Sequence, residues 1–164
     1  MASLTIRIFP DPALRCRSRV ADWRDPALHR ILQDLVETLH HQPGGVGIAG
    51  CQVGVGLRLA VIDLSAKDPT KKIEILINPV IRRMAGQILS REGCMSLPDY
   101  TANIKRAQTV VAEWTDEHGS RRRETLEGIS AICFQHEVDH LNGVLIIDRV
   151  VSLKTEVFPR ARRA

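Results

Sequence analysis

No apolar run in the 164-residue chain approaches the roughly 20 residues of a membrane-spanning helix, and its first residues, MASLTIRIFPDPALRCRSR, lack a continuous signal-peptide core. These absences predict a soluble, cytoplasmic protein with no membrane partner. The four cysteines, Cys16, Cys51, Cys94 and Cys133, lie far apart with no Cys-x-x-Cys pair, so reduced thiols are expected, each free to ligate a metal. Aromatic residues make up only 4% of the chain, too few for the base-stacking platforms of a single-stranded nucleic-acid binder. The net charge of +4 is concentrated at Arg15, Arg17 and Arg19, at Arg121 to Arg123, and at Arg160, Arg162 and Arg163. Such runs read as solvated faces, and no sequence-specific nucleic-acid partner is expected. There is no repeat, low-complexity segment or Gly/Ser linker, which points to one domain over residues 1–164.

What is present begins with a helix from about Pro26 to His41, where Leu28, Ile31, Leu32, Leu35, Val36 and Leu39 recur at helical spacing. Asp25 caps it, Pro26 takes its first position, and Gln42-Pro43-Gly44-Gly45 ends it. The glycine-rich stretch GGVGIAGCQVG then opens into LRLAVIDL, a buried strand, followed by a second strand, IEILINPVI. QTVVAEWTD and RRRETLEG, joined at Glu117-His118-Gly119-Ser120, read as a hairpin. From Ile129 to about Asn142 the pattern is helical again, with Gly143 at its terminus. Helices at both ends of a run of strands predict an α+β fold rather than alternating βαβ units.

The second helix carries the chemistry. His136, Glu137 and His140 form His-Glu-x-x-His, whose two imidazoles project from one helix face and can grip a single cation, while Glu137 can reach a water on it. Chance matches to so short a motif are common. Here Ile129, Ile132, Cys133, His136 and His140 share one apolar face, and two histidines there need a reason. A catalytic site of this kind takes three protein ligands and one open position. The long metalloprotease pattern fits as far as Gly143 and then meets Ile146 where histidine is required. Glu156 is the only glutamate downstream of the helix, so the third ligand is sought upstream, where Cys94 lies in Glu92-Gly93-Cys94-Met95-Ser96-Leu97-Pro98.

Three segments, Gly45-Val46-Gly47-Ile48-Ala49-Gly50-Cys51-Gln52, Glu92-Gly93-Cys94-Met95-Ser96 and His136-Glu137-Val138-Asp139-His140, resemble the signature motifs of peptide deformylases, in that family's order and spacing. The likeness extends from FPDPALR through INPVI to NGVLIIDR. It implies mixed and antiparallel strands around a central metal-binding helix. It implies one divalent ion per chain, Fe²⁺ first with Zn²⁺ or Ni²⁺ tolerated, held by Cys94, His136 and His140. The reaction implied is hydrolysis of the N-formyl group from the initiator methionine of nascent polypeptides, releasing formate. Glu137 is assigned to proton transfer, and Gln52 with the backbone N–H of Met95 to the carbonyl oxygen. Gly50 stands where the family usually has alanine, which would loosen the turn that aims Gln52, and Met95 where it usually has leucine.

Those roles suit the chemistry. A formamide is a poor electrophile, so the site must supply a nucleophile and a place for negative charge, through a cation that lowers the pKa of water toward roughly 7 and donors worth about 3 to 4 kcal/mol. Val46, Gly47, Ile129, Ile132 and Cys133 are candidates for the substrate slot, with Cys133 a wall rather than a fourth ligand. Glu92 either hydrogen-bonds near the ligands or anchors its loop. Asp139 shares a polar stripe with Gln135 and Asn142 and reads as a solvated or capping carboxylate, whereas the resemblance pairs it with Arg106. Arg160, Arg162 and Arg163 are expected to extend into solvent, where the resemblance makes the ribosome a contact. Two other classes remain: a zincin-like metallopeptidase cutting internal bonds, and a non-enzymatic metal-stabilised binding module, to which Glu137 and Gln52 would be superfluous.

Overall fold

The computed structural model describes residues 3–160. Helix α1 spans Pro26–His40. The Asp25 side chain accepts from the Ala27 N–H at 2.9 Å, and Pro26 fills a position whose N–H would lack a helical partner. Leu28, Leu32, Leu35 and Leu39 form its buried stripe. The stripe packs on Ile48 of β1 (Gly47–Ala49), Leu59 and Val61 of β2 (Leu59–Ile62) and Ile77 of β3 (Glu74–Ala85). Each leucine contributes about 1.5–3 kcal/mol by leaving water.

β4 (Ile88–Cys94) and β5 (Leu97–Arg106) form a hairpin that the sequence pattern does not announce. Its register jumps between Gly93 and Cys94, which pair with Thr101 and Leu97, so that Pro98, Asp99 and Tyr100 loop out. β6 (Thr109–Thr115) and β7 (Arg121–Glu127) form the expected hairpin. Helix α2 follows over Gly128–Leu141, then a short helix, α3 (Leu153–Glu156), and β8 (Val157–Pro159). Two antiparallel sheets result, ordered β1-β2-β3-β6-β7 and β4-β5-β8, which makes the fold α+β. Pro79 is tolerated in β3 because it falls at a register shift between Ile77 and Val80.

Every residue of β2 is buried, which explains the unbroken apolar run. Leu59 and Val61 face α1, while Ala60 and Ile62 join Ala112, Trp114, Phe134 and Leu141 on the α2 side. A third cluster, with Leu14, Leu97, Ile104, Leu145 and Ile146, lies beneath the small sheet. Among the described residues no helix is long and apolar enough to cross a membrane.

α2 ends where it must. Gly143 has φ +75°, and the N–H groups of Gly143 and Val144 donate to the carbonyls of His140 and Asp139, which closes the helix one turn after His140. A side chain at Gly143 would also strike the Arg15 carbonyl oxygen at 2.5 Å.

Candidate metal centre and cleft

Two elements meet to make the centre. α2 supplies His136 and His140, one turn apart with ring centroids 4.9 Å from each other, and the end of β4 supplies Cys94. The Cys94 Sγ lies 3.2 Å from His140 Nε2, and one donor atom from each of the three residues lies within 4.8 Å of the others. A tetrahedral ion with bonds of about 2.0–2.3 Å keeps such donors roughly 3.5 Å apart, so the trio has the size and chemistry to hold a divalent transition metal.

The ring of His136 is oriented from behind. Its Nδ1 donates to Glu92 Oε2 at 2.9 Å, which leaves Nε2 for the cleft. Glu92 in turn receives both Nε and Nη2 of Arg106 at 2.8 and 2.9 Å, and Arg106 Nη1 donates to Asp139 at 2.5 Å. Arg149 completes the chain by bonding both Asp139 oxygens. Burial alone would raise the Glu92 carboxyl, but the Arg106 guanidinium and the His136 ring outweigh it and bring the pKa to about 2. Burial likewise opposes ionisation of Cys94, yet the two imidazoles hold its thiol well below the usual range, in the thiolate form that a metal requires.

Gln52 comes from the short turn Gly50–Val53. Its Oε1 accepts from the Ala49 N–H at 2.9 Å, which fixes the amide so that Nε2 donates to Ser96 Oγ at 3.1 Å and faces Cys94 Sγ at 3.6 Å. Gly50 is closely held in this turn. Val55 N–H donates to the Gly50 carbonyl, and a Cβ at Gly50 would sit only 3.0 Å from the Val55 carbonyl oxygen. Gly47 is needed for a different reason: a Cβ there would lie 2.3 Å from Glu137 Oε1.

These groups border a cavity of about 340 Å³. Val46, Gly47, Ile129, Ile132 and Cys133 line one part, and Gln52, Glu92, Cys94, Met95, His136 and Glu137 another. His140 lies beneath, 1% exposed, and Asp139 and Arg106 lie outside the lining. Glu137 Oε2 is buried without a hydrogen-bond partner among the described residues, and burial raises its carboxyl pKa. Burial, with Glu137 nearby, pushes the Cys133 thiol up to about 12, so it stays neutral and suits a wall.

Residues 3–156 match the family model described as polypeptide deformylase. The chain belongs to the polypeptide deformylase family. It is 37% identical to a peptide deformylase of Thermodesulfovibrio yellowstonii over 96% of this chain and 95% of that one. It is 39% identical to one of Rhizobium meliloti over 93% of this chain and 88% of that one. The crystal structure of peptide deformylase from Thermotoga maritima superposes with a TM-score of 0.85 at 36% identity, covering 93% of this chain and 100% of that one. Deformylation of nascent polypeptides is the function of this family, and its members are metal-dependent hydrolases.

Within this deformylase framework two sequence expectations change. Asp139 is not the solvated or capping carboxylate of its polar stripe: it is buried between Arg149 and Arg106, the partner that the resemblance named, and Gln135 is buried against the Ala107 backbone. The face bearing Ile129 and Ile132 borders the cavity, with Ile129 40% exposed, and the packed face is Ala131, Phe134, Val138 and Leu141. Arg160 does not run free into solvent. Its N–H donates to the Asp99 carbonyl at 2.7 Å and its side chain borders the cavity, because β8 pairs with β5. Arg162 and Arg163 lie outside the described residues. Sequence reasoning gave no role to Ser96, Arg149, Lys67 or Arg91. Only Arg149 stood in a segment carrying the family likeness with a charge to mark it.

Proposed function

We propose that this chain removes the formyl group from the N-terminal methionine of nascent polypeptides through a division of labour between a metal trio and an unpaired carboxylate. The observation that carries the reading is Glu137: a buried carboxyl oxygen without a partner, beside Cys94, His136 and His140, in a cavity of about 340 Å³. A structural metal site has no use for such a group.

Cys94, His136 and His140 hold the ion, with Fe²⁺ as the family likeness implies and Zn²⁺ or Ni²⁺ as substitutes. When bound, the ion supplies Lewis-acid activation of water and of the formyl oxygen. Glu137 accepts the proton of the attacking water and passes it to the leaving amine, a task that its raised pKa favours. The Gln52 amide and the Met95 N–H donate to the oxygen where negative charge develops. Ser96 and Ala49 keep the Gln52 amide aimed. Val46, Gly47, Ile129, Ile132 and Cys133 accept the methionine side chain. β1 and β4 are both edge strands, so the rest of the peptide can extend between them through backbone hydrogen bonds. Glu92, in the cavity lining, orients the His136 ring, and Arg106 and Asp139 support it from outside the cleft. Reduced Cys51, Cys94 and Cys133 suit the cytoplasm, and residues beyond Arg160 are the part of the chain proposed to touch the ribosome.

Metal analysis of anaerobically purified protein together with a formyl-methionyl-peptide assay tests the reading. Glu137→Gln is expected to keep its metal and slow hydrolysis by roughly 10²- to 10⁴-fold. Retention of full activity in that variant would remove the proposed base, and a casein assay separates the metallopeptidase alternative.

A further inference from the structure

The C-terminal strand brings a cation to the cleft that the deformylation chemistry does not use. Thr101 pairs with Gly93 on one side and with Phe158 on the other, so these three positions share one face of the small sheet. Arg91 and Arg160 lie two residues from Gly93 and Phe158 respectively, and therefore share that face. Arg91 stacks on the Phe158 ring at 4.2 Å and donates to Thr101 Oγ1 at 3.2 Å. Arg160 reaches across the space that Gly93 leaves empty: a Cβ there would lie 1.9 Å from its Nη2. Both arginines border the cavity on the β4 side, and Lys67 borders it elsewhere.

Among the described residues the charge at this mouth is not offset by an ion pair: neither Arg160 nor Lys67 forms one. The two carboxylates in the cavity lining are Glu92, held by Arg106 and His136, and Glu137, buried beside the metal trio. A peptide that extends from the methionine slot between β1 and β4, as proposed above, passes Gly93 and Arg91, which line the cavity.

We infer that Arg160 is a specificity-determining residue, which favours formyl-methionyl peptides carrying an acidic side chain at the second position. This rests on the proposed deformylase reading and names a substrate class within it. The C-terminal strand is thereby part of the substrate site.

The test compares kcat/KM for formyl-Met-Asp-Ser and formyl-Met-Lys-Ser, with formyl-Met-Ala-Ser as reference, in the metal-loaded enzyme. An exposed ion pair supports a preference for aspartate of roughly two- to fivefold at low ionic strength, falling as salt is raised. Arg160→Gln should abolish the preference and Arg160→Glu should reverse it, mainly through KM. Arg123→Gln, on the distant β7, should leave the ratio unchanged. Equilibrium binding of fluorescently labelled Met-Asp-Ser and Met-Lys-Ser should show the same ratios without turnover. No hydrolysis of the reference peptide would overturn the deformylase reading itself. Equal ratios in wild type and Arg160→Glu, by rate and by binding, would overturn the role of Arg160 alone.

Discussion

α1 and α2 pack on opposite faces of one sheet through alternate residues of the same strands, yet they contribute in opposite ways. α1 buries Leu28, Leu32, Leu35 and Leu39 and one polar side chain, Thr38, whose hydroxyl donates to the Asp34 carbonyl. α2 buries Gln135, Glu137, Asp139 and His140 alongside Phe134 and Leu141. An apolar stripe needs only a surface to cover it, whereas each buried polar group needs a partner or a function. In α2 Asp139 and His140 take partners from the small sheet, Arg106 of β5 and Cys94 of β4, and Gln135 takes its own from the Ala107 backbone. One helix holds the fold together, and the other depends on the fold to hold its polar groups.

The sharpest break in this comparison is Cys94→Ala. Loss of one of three ligands should empty the site and abolish activity, with metal content measured per chain and little change in the circular dichroism spectrum. Stoichiometric metal in that variant would show that the trio is not the ligand set. Next in size come paired stability variants. Arg106→Ala leaves Glu92 and Asp139 buried with one partner fewer and should cost about 3–5 kcal/mol, with metal affinity falling 10- to 100-fold as the His136 ring loses its orientation. Leu35→Ala on the α1 side should cost about 2–5 kcal/mol through the cavity it leaves, with kcat per folded molecule unchanged. Chemical denaturation and metal titration of both variants decide whether stability and chemistry divide between the two helices as described.

The smallest effect is a pH dependence. Glu92 titrates at about 2 in the folded protein, against roughly 4.3 in an unfolded chain. Its pKa is depressed by folding, so its contribution is fully present above about pH 4.5 and is lost as pH falls toward 2. Acid unfolding should therefore flatten across that window in Glu92→Gln. An unchanged acid limb would mean that the Glu92–Arg106 pairing adds no stability.

The sequence by itself determined the local elements. Asp25-Pro26 and the leucine spacing start and orient α1, which ends at His40 within a residue of expectation. The β6–β7 hairpin and α2 follow from glycine placement and periodicity in the same way. The one-turn spacing of His136 and His140 also belongs to the helix alone, and motif order carried the family likeness. The β4–β5 hairpin was not legible, because its turn is Met95-Ser96 and a three-residue bulge interrupts its pairing.

Only the tertiary structure decided what those elements face. It placed Cys94 3.2 Å from His140 across 46 residues of chain, and it buried Asp139 against Arg106 and Arg149 instead of leaving it in water. It also folded Arg160 back to the cleft through the pairing of β8 with β5. Periodicity is a property of neighbouring residues and can be read along the chain. Burial depends on which surface arrives from elsewhere, and a polar stripe on a helix looks the same in sequence whether water or a guanidinium meets it.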